Sequence, residues 1–182
     1  MSRPSTGWST SATVSAARRA KRRLRPAAAA KRWNVGQMSA ELQLSWNGDP
    51  TCFGCGAENE RGLQLTFRRT SDKAVECEYV APGHYCGAPT VLHGGIQATI
   101  LDEAMGKAVH IAFHDRPEVR IVTADFSLRY RRPVPIGERL RARAEIVRVE
   151  GPNVFVRGAL LDGEGNELTL AEARWRALGE RS

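Results

Sequence analysis

A double glycine and an acidic residue seven positions later are the residues of this chain whose types and spacing best suit chemistry. Gly94 and Gly95 open an apolar stretch that predicts a long helix ending near Phe113. The first N–H groups of a helix lack internal acceptors and lie at the positive end of its dipole, so they can hold a carbonyl oxygen that is gaining negative charge. Asp102 returns to nearly the same helix face about 10 Å further along the axis. An oxyanion site and a base on one face indicate acyl chemistry.

A purely structural interpretation competes with this one. Two glycines before a helix often form only a tight turn, and the pair Asp102-Glu103 could face solvent. The residues around Asp102 are nevertheless mostly apolar, which predicts a buried helix, and an unpaired carboxylate is costly to bury unless it has a function. We therefore favour a functional Asp102. Its apolar neighbours are Ala98, Ile100, Leu101, Ala104, Met105 and Ala108.

Three segments together resemble the acyl-CoA thioesterases of the hotdog superfamily, with the phenylacetate-type (PaaI-like) subgroup the most similar. They are CFGCGAENERGLQL at 52–65, HGG followed by the Asp-Glu pair at 93–103, and VTADFSLRYRRPVPIGERL at 122–140. The resemblance extends over residues 52–178. It implies an α+β hotdog fold, in which one long central helix packs on a five- to six-stranded antiparallel sheet, and hydrolysis of a fatty- or aryl-acyl-CoA to free acid and CoA.

Individual residues receive roles from the helix geometry and from the resemblance. Asp102 is expected to be the general base that deprotonates water, or a nucleophile that forms a transient anhydride. Gly94 and Gly95 are expected to supply N–H donors, and the resemblance implies that Thr123 holds the water. Neither a metal nor another cofactor is expected. The residues expected to bind substrate are His93, Glu103, Arg131 and Arg132. His93 is expected to act chiefly as the helix cap, and the two arginines are expected to bind the phosphates of CoA.

The spacing of the helix residues also predicts a homodimer. A thioester carbon must lie within about 3 to 4 Å of both the oxyanion donors and the attacking water, whereas Gly95 and Asp102 of one helix are about 10 Å apart. Two antiparallel helices side by side would bring the glycines of one against the acid of the other, as the resembling family builds its sites. We expect a homodimer, or a dimer of dimers, with shared sites.

Two alternatives to a thioesterase remain open. His84-Tyr85, Gly87 and Pro89 are similar to the start of a hotdog hydratase or dehydratase motif, but the acid required five residues after Gly94 is replaced by Thr99. A non-enzymatic acyl-CoA sensor is the second alternative. Some thioesterase relatives also carry Asn or Gln where Gly87 stands, so the way in which this chain polarises its substrate does not follow from the resemblance.

The net charge of +7 comes from the beginning of the 182-residue chain. Residues 1–40 contain nine of the 27 Lys and Arg and no acid, which leaves 18 against 20 Asp and Glu in the predicted domain at 41–182. The domain is therefore not expected to bind nucleic acid. No apolar run approaches the ~18 residues of a membrane span.

The Ser-, Ala- and Arg-rich composition of residues 1–40 is typical of disorder. A translation start at Met38 is the favoured explanation, and a targeting peptide or a basic arm are the alternatives. The segment lacks the apolar core of a secretory signal, so a cytoplasmic location is expected.

Four cysteines allow two interpretations. Cys52 and Cys55 form a C-x-x-C motif that could be half of a zinc site completed by His84 and Cys86. A second tight pair is missing, and Cys77 follows a strand pattern, so a simple turn is favoured over a metal site.

Alternation of apolar residues predicts the strands. Leu63–Phe67 and Val75–Tyr79 are expected to flank a turn at Thr70–Asp72, and Val122–Tyr130 follows the helix. A hairpin turn is predicted at Asp162–Asn166. The remaining strands are expected at Leu140–Val149, Val154–Leu161 and Leu168–Trp175.

Overall fold

The computed structural model describes residues 42–43, 49–116 and 118–179. One long helix, α1 (Gly94–Ala112), is the central element. The strands are β1 (Leu42–Gln43), β2 (Arg68–Ser71), β3 (Ala74–Val80), β4 (Cys86–Ala88), β5 (Val91–Leu92), β6 (Arg120–Tyr130), β7 (Arg139–Glu150), β8 (Asn153–Leu161) and β9 (Glu167–Leu178). The tail predicted at residues 1–40 and the proposed start at Met38 lie outside the described residues.

A seven-stranded antiparallel sheet carries the helix, in the order β1-β2-β3-β7-β8-β9-β6. The two-residue β1 extends one edge, and β6 forms the other. The predicted α+β hotdog architecture is confirmed, with six longer strands under one helix. Among the described residues, no helix has the length and apolar character required to cross a membrane.

The sheet is apolar on the face beneath the helix and charged on the other. Alternate residues of β7 are buried in the core, because side chains of a strand point to opposite faces in turn. Between them lie Arg143 and Glu145, which pair with Glu76 of β3 and Arg157 of β8. This division is typical of an antiparallel sheet with one solvated face. The buried set in β7 is Leu140, Ala142, Ala144 and Ile146.

Close packing between α1 and the sheet explains the glycine in the middle of the helix. A Cβ atom at Gly106 would lie 2.8 Å from Cη2 of Trp175 on β9, so a larger residue would force the helix away from the sheet. The helix is largely buried, as its apolar sequence predicts. Its less buried face includes Asp102, Glu103 and the N-terminal turn.

The prediction of a strand over Leu63–Phe67 is wrong, although Leu63, Leu65 and Phe67 are buried. The N–H groups of Leu63 and Leu65 donate to the carbonyl oxygens of Phe53 and Gly54, so this segment pairs with the C-x-x-C turn. The ladder with β3 begins only at Arg68, and its turn lies at residues 72–73.

The other strand predictions are confirmed to within a few residues, as are the helix and the hairpin turn. In that turn, the Asp162 carboxylate accepts hydrogen bonds from the backbone N–H groups of Glu164 and Asn166. The small sheet of β4 and β5 was not predicted, because strands of three and two residues are too short to produce a periodic pattern.

Candidate active site

Asp102 and Thr123 form a direct contact between the middle of α1 and the strand that follows it. Thr123 Oγ1 donates to Asp102 Oδ1 over 3.0 Å. Burial raises the pKa of the Asp102 carboxyl above its ordinary value, the hydrogen bond from Thr123 opposes that rise, and the charge of Glu103 adds to it. Asp102 is therefore a more basic carboxylate than an exposed aspartate, and a neighbouring hydroxyl orients it.

A β-bulge lies beside this contact. The register between β6 and β9 shifts between Thr123 and Asp125, so one extra residue is accommodated in β6. Bulges change the direction of nearby side chains and are frequent next to active sites. The pairing of Thr123 with the helix acid therefore occurs where the strand departs from regular geometry.

The start of α1 is capped by His93. The N–H of Gly95 donates to His93 Nδ1 over 2.9 Å, which confirms the predicted capping role of His93. The N–H of Gly94 has no acceptor within the part of the chain that the structure describes. Of the two predicted N–H donors, Gly94 is thus available to a ligand, whereas Gly95 is engaged by the histidine in this conformation.

A cavity of about 530 Å³ opens at this end of the helix. It brings together four of the predicted site residues with residues of β4, β5 and β6. Tyr130, on the cavity wall, donates from its hydroxyl to the Gly94 carbonyl over 3.0 Å and so fixes the first turn of α1. The predicted residues that line the cavity are His93, Gly94, Arg131 and Arg132.

The two arginines at the cavity differ in their partners. Arg131 Nη1 forms an ion pair of 2.7 Å with Glu167 Oε2. Arg132 is exposed and has no ion-pair partner among the described residues. A ligand phosphate would therefore meet Arg132 without first displacing a carboxylate.

The buried pair Gln97 and Thr169 does not follow from the sequence patterns. It joins a residue of the cavity wall, Gln97, to the sheet. Gln97 Nε2 donates to the Leu92 carbonyl over 2.8 Å, and Thr169 Oγ1 donates to Gln97 Oε1 over 2.5 Å. The bonds tie α1 to β9 and to the loop before the helix. A buried glutamine inside an apolar stretch was the only signal in the sequence.

Glu103 lies in different surroundings from the rest of the predicted site. Its Oε1 accepts a hydrogen bond of 3.4 Å from Cys52 Sγ, and its side chain lies against Gly54. The structure thus divides the predicted residues into the cavity group at the start of α1, the pair Asp102 and Thr123 two turns later, and Glu103 beside the C-x-x-C turn.

The fold and the position of the helix acid define a class, the hotdog proteins with an acid on the central helix. Residues 90–169 match the family described as Thioesterase superfamily. The match confirms the resemblance to thioesterases that the sequence predicts.

A curated relative is similar to part of this chain. Acyl-coenzyme A thioesterase THEM4 of Bos taurus is 27% identical over 105 residues, which are 57% of this chain and 41% of that protein. The chain therefore spans less than half of the length of this curated relative.

Solved structures share the fold. A phenylacetic acid degradation-related protein of Ralstonia eutropha is 24% identical, with a TM-score of 0.57 over 63% of this chain and 85% of its own. A hypothetical thioesterase of Streptococcus pneumoniae, solved with coenzyme A, is 19% identical, with a TM-score of 0.57 over 65% of this chain and 88% of its own.

Proposed function

We propose that this protein is an acyl-CoA thioesterase that hydrolyses a fatty- or aryl-acyl-CoA to the free acid and CoA. The observation that carries the proposal is the hydrogen bond from Thr123 to Asp102, which orients a carboxylate whose pKa is raised by burial. A general base is most effective when its pKa lies closer to the working pH than that of an ordinary aspartate. The names of the bovine relative and of the coenzyme A-bound neighbour support the same class of substrate.

In the proposed reaction, Asp102 accepts a proton from a water molecule that also contacts the Thr123 hydroxyl. The water oxygen bonds to the thioester carbonyl carbon, and the carbonyl oxygen acquires the negative charge. The N–H of Gly94 stabilises this oxyanion at the positive end of the helix dipole. The C–S bond then breaks, and the departing CoA sulfur takes up the proton from Asp102.

A second N–H donor would become available if the His93 ring turned away from Gly95. The Gly95 N–H now donates to His93 Nδ1, so a carbonyl oxygen must compete with the ring for this proton. Displacement of the ring by substrate would complete a two-donor oxyanion site. The cavity above it offers the guanidinium group of Arg132 to the CoA phosphates.

The proposed site requires two protomers. Gly94 and Asp102 occur on the same helix, eight positions apart, with about 12 Å of axial rise between them. Within the described residues no strand pairs with the outer edge of β6, and Val122 and Tyr130 on this strand are 41% and 54% exposed. A long edge strand with exposed apolar residues favours pairing with another chain. We therefore propose a homodimer, or a dimer of dimers, in which the helix start of one protomer serves the acid of its partner.

A thiol-release assay with short, long and aryl acyl-CoA thioesters tests the function. We expect release of CoA from at least one class by the wild-type chain, loss of release in Asp102→Asn, and retention in Asp72→Asn, a matched change at an exposed acid of the β2–β3 turn. If no thioester of the panel is hydrolysed while coenzyme A still binds, the chain is a sensor and the proposal is wrong.

A further inference from the structure

The C-x-x-C turn closes on the side of α1 and forms a cluster of metal-ligating side chains with Glu103. The ligand atoms of Cys52, Cys55 and Glu103 all lie within 4.8 Å of one another. Cys52 Sγ contacts Glu103 Oε1 directly at 3.4 Å. The cluster is partly buried and lies apart from the cavity at the start of the helix.

The backbone of the C-x-x-C turn lies close to the Glu103 side chain. A Cβ atom at Gly54, between the two cysteines, would lie 2.2 Å from Cγ of Glu103, so any side chain there would displace the carboxylate. The carbonyl oxygens of Phe53 and Gly54 accept hydrogen bonds from Leu63 and Leu65, which anchors the turn to the core. These backbone hydrogen bonds therefore hold the C-x-x-C turn, with its two cysteines, against the Glu103 side chain.

The spacing suits a small tetrahedral cation. Zinc binds thiolate at about 2.3 Å and carboxylate at about 2.0 to 2.2 Å, which sets neighbouring ligand atoms roughly 3.5 to 3.8 Å apart. The Cys52–Glu103 pair, at 3.4 Å, is close to this separation, and small side-chain rotations would bring in the third ligand. Two thiolates and one carboxylate favour a cation of the zinc class over magnesium or calcium, which prefer oxygen ligands alone.

The charge of the cluster also accommodates a divalent cation. Lys107, one helical turn after Glu103, is 8% exposed and contacts the Cys55 thiol. With both thiols protonated, the negative charge of the Glu103 carboxylate and the positive charge of the Lys107 ammonium cancel. Binding of one M²⁺ with release of two thiol protons to solvent leaves the total charge unchanged, so no net charge is buried.

We propose that Cys52, Cys55 and Glu103 bind one divalent cation of the zinc class, with water in the fourth position, and that this cation joins the C-x-x-C turn to α1. The proposal is independent of the thioesterase function. It also replaces the zinc site considered from the sequence, since the metal-ligating group found among the described residues includes Glu103 and excludes His84 and Cys86. The proposal differs from the expectation of a simple turn without metal.

Cobalt titration of the full chain tests the site. The chain is freed of metal with a chelator, kept reduced with a non-thiol phosphine and titrated with Co²⁺. We expect one equivalent to produce thiolate-to-cobalt charge-transfer absorption, and Zn²⁺ to abolish it by displacement. The absorption should disappear in Cys52→Ser and Cys55→Ser and remain in Cys86→Ser, a matched change at an exposed thiol outside the cluster.

A second variant covers the case in which the cysteine changes impair folding. Glu103→Gln keeps both thiols and the side-chain shape, and should weaken Zn²⁺ affinity by about tenfold or more, since the loss of even a partner behind a metal ligand costs about that much. The melting temperature of the wild type should rise with Zn²⁺ concentration, because ligand binding stabilises the folded state. Absence of the absorption in the wild type, or equal Zn²⁺ affinity in wild type and Glu103→Gln, would overturn the proposal.

Discussion

Thr123 Oγ1 lies 3.0 Å from Asp102 Oδ1, so the strand after the helix supplies a hydroxyl to the carboxylate in the middle of that helix. The hydrogen bond favours the ionised carboxylate, whereas burial and the neighbouring Glu103 favour the protonated one. The contact therefore balances two requirements of a general base, which must be basic enough to accept a proton and ionised before it does so.

The raised pKa of Asp102 predicts the pH dependence of activity. A protonated base is inactive, so kcat/KM should fall as the pH decreases through the pKa of Asp102, at a higher pH than for an exposed aspartate. Asp102→Asn should lower turnover by about 10² or more. Steady-state rates across the pH range check both effects, and a near wild-type rate in Asp102→Asn together with loss in Glu103→Gln would identify the other carboxylate as the base.

Ionisation of Asp102, which activity requires, should lower the free energy of unfolding. Because the pKa is higher in the folded state than in the unfolded one, ionisation of Asp102 destabilises the fold above the folded pKa, and this cost disappears below the unfolded pKa. Asp102→Asn should thus be at least as stable as the wild type at pH 7, and any gain should vanish in acid. Denaturant unfolding at both pH values measures the difference, and a less stable variant at pH 7 would contradict it.

Two replacements of Thr123 distinguish the role of its hydroxyl from the role of its β-branched shape in the strand. Thr123→Val keeps the β-branched shape but removes the donor, so the pKa of Asp102 should rise further and the acid limb of the rate profile should move to higher pH. Thr123→Ser is the matched control, since it keeps Oγ and should leave that limb in place. If both variants keep the wild-type pH profile, Thr123 is present only for its β-propensity.

A side chain at Gly95 should disrupt the helix start. Its Cβ atom would lie 3.1 Å from His93 Nδ1 and 3.2 Å from Cε1, so a branched residue would press on the capping ring and fill the proposed oxyanion position. Gly95→Val should abolish hydrolysis in a folded protein, whereas Gly163→Val, where a side chain meets open space, should not. Circular dichroism verifies folding, and normal hydrolysis by folded Gly95→Val would remove the helix start from the site.

Local patterns in the sequence predicted the elements better than the contacts between them. The 3.6-residue and two-residue periods located α1 and most strands, since they report which face of an element is buried. They could not reveal that Glu103 contacts Cys52, 51 positions away, or that Thr169 supports Gln97, 72 positions away. Such contacts depend on how distant elements pack.

The same limit applies to the strand that was predicted wrongly and to the helix start. Leu63 and Leu65 alternate as in a strand, but their N–H groups bond to the C-x-x-C turn, a partner that alternation does not specify. The double glycine indicated exposed N–H donors, but only the structure reveals that His93 occupies one of them. Periodicity predicts burial, whereas hydrogen-bond partners follow from tertiary structure.

Mixing two inactive variants tests whether the site is shared between protomers. If Asp102 of one chain serves the helix start of its partner, a heterodimer of Asp102→Asn and Gly95→Val chains has both lesions in one site and none in the other. Neither homodimer should hydrolyse substrate, but the mixture should regain up to about a quarter of wild-type activity, because random exchange makes half of the dimers mixed and each has one intact site of two. Mass spectrometry verifies that subunits have exchanged. A fully exchanged mixture without activity would mean that each site lies within one protomer, and the proposed dimer interface would lose its catalytic role.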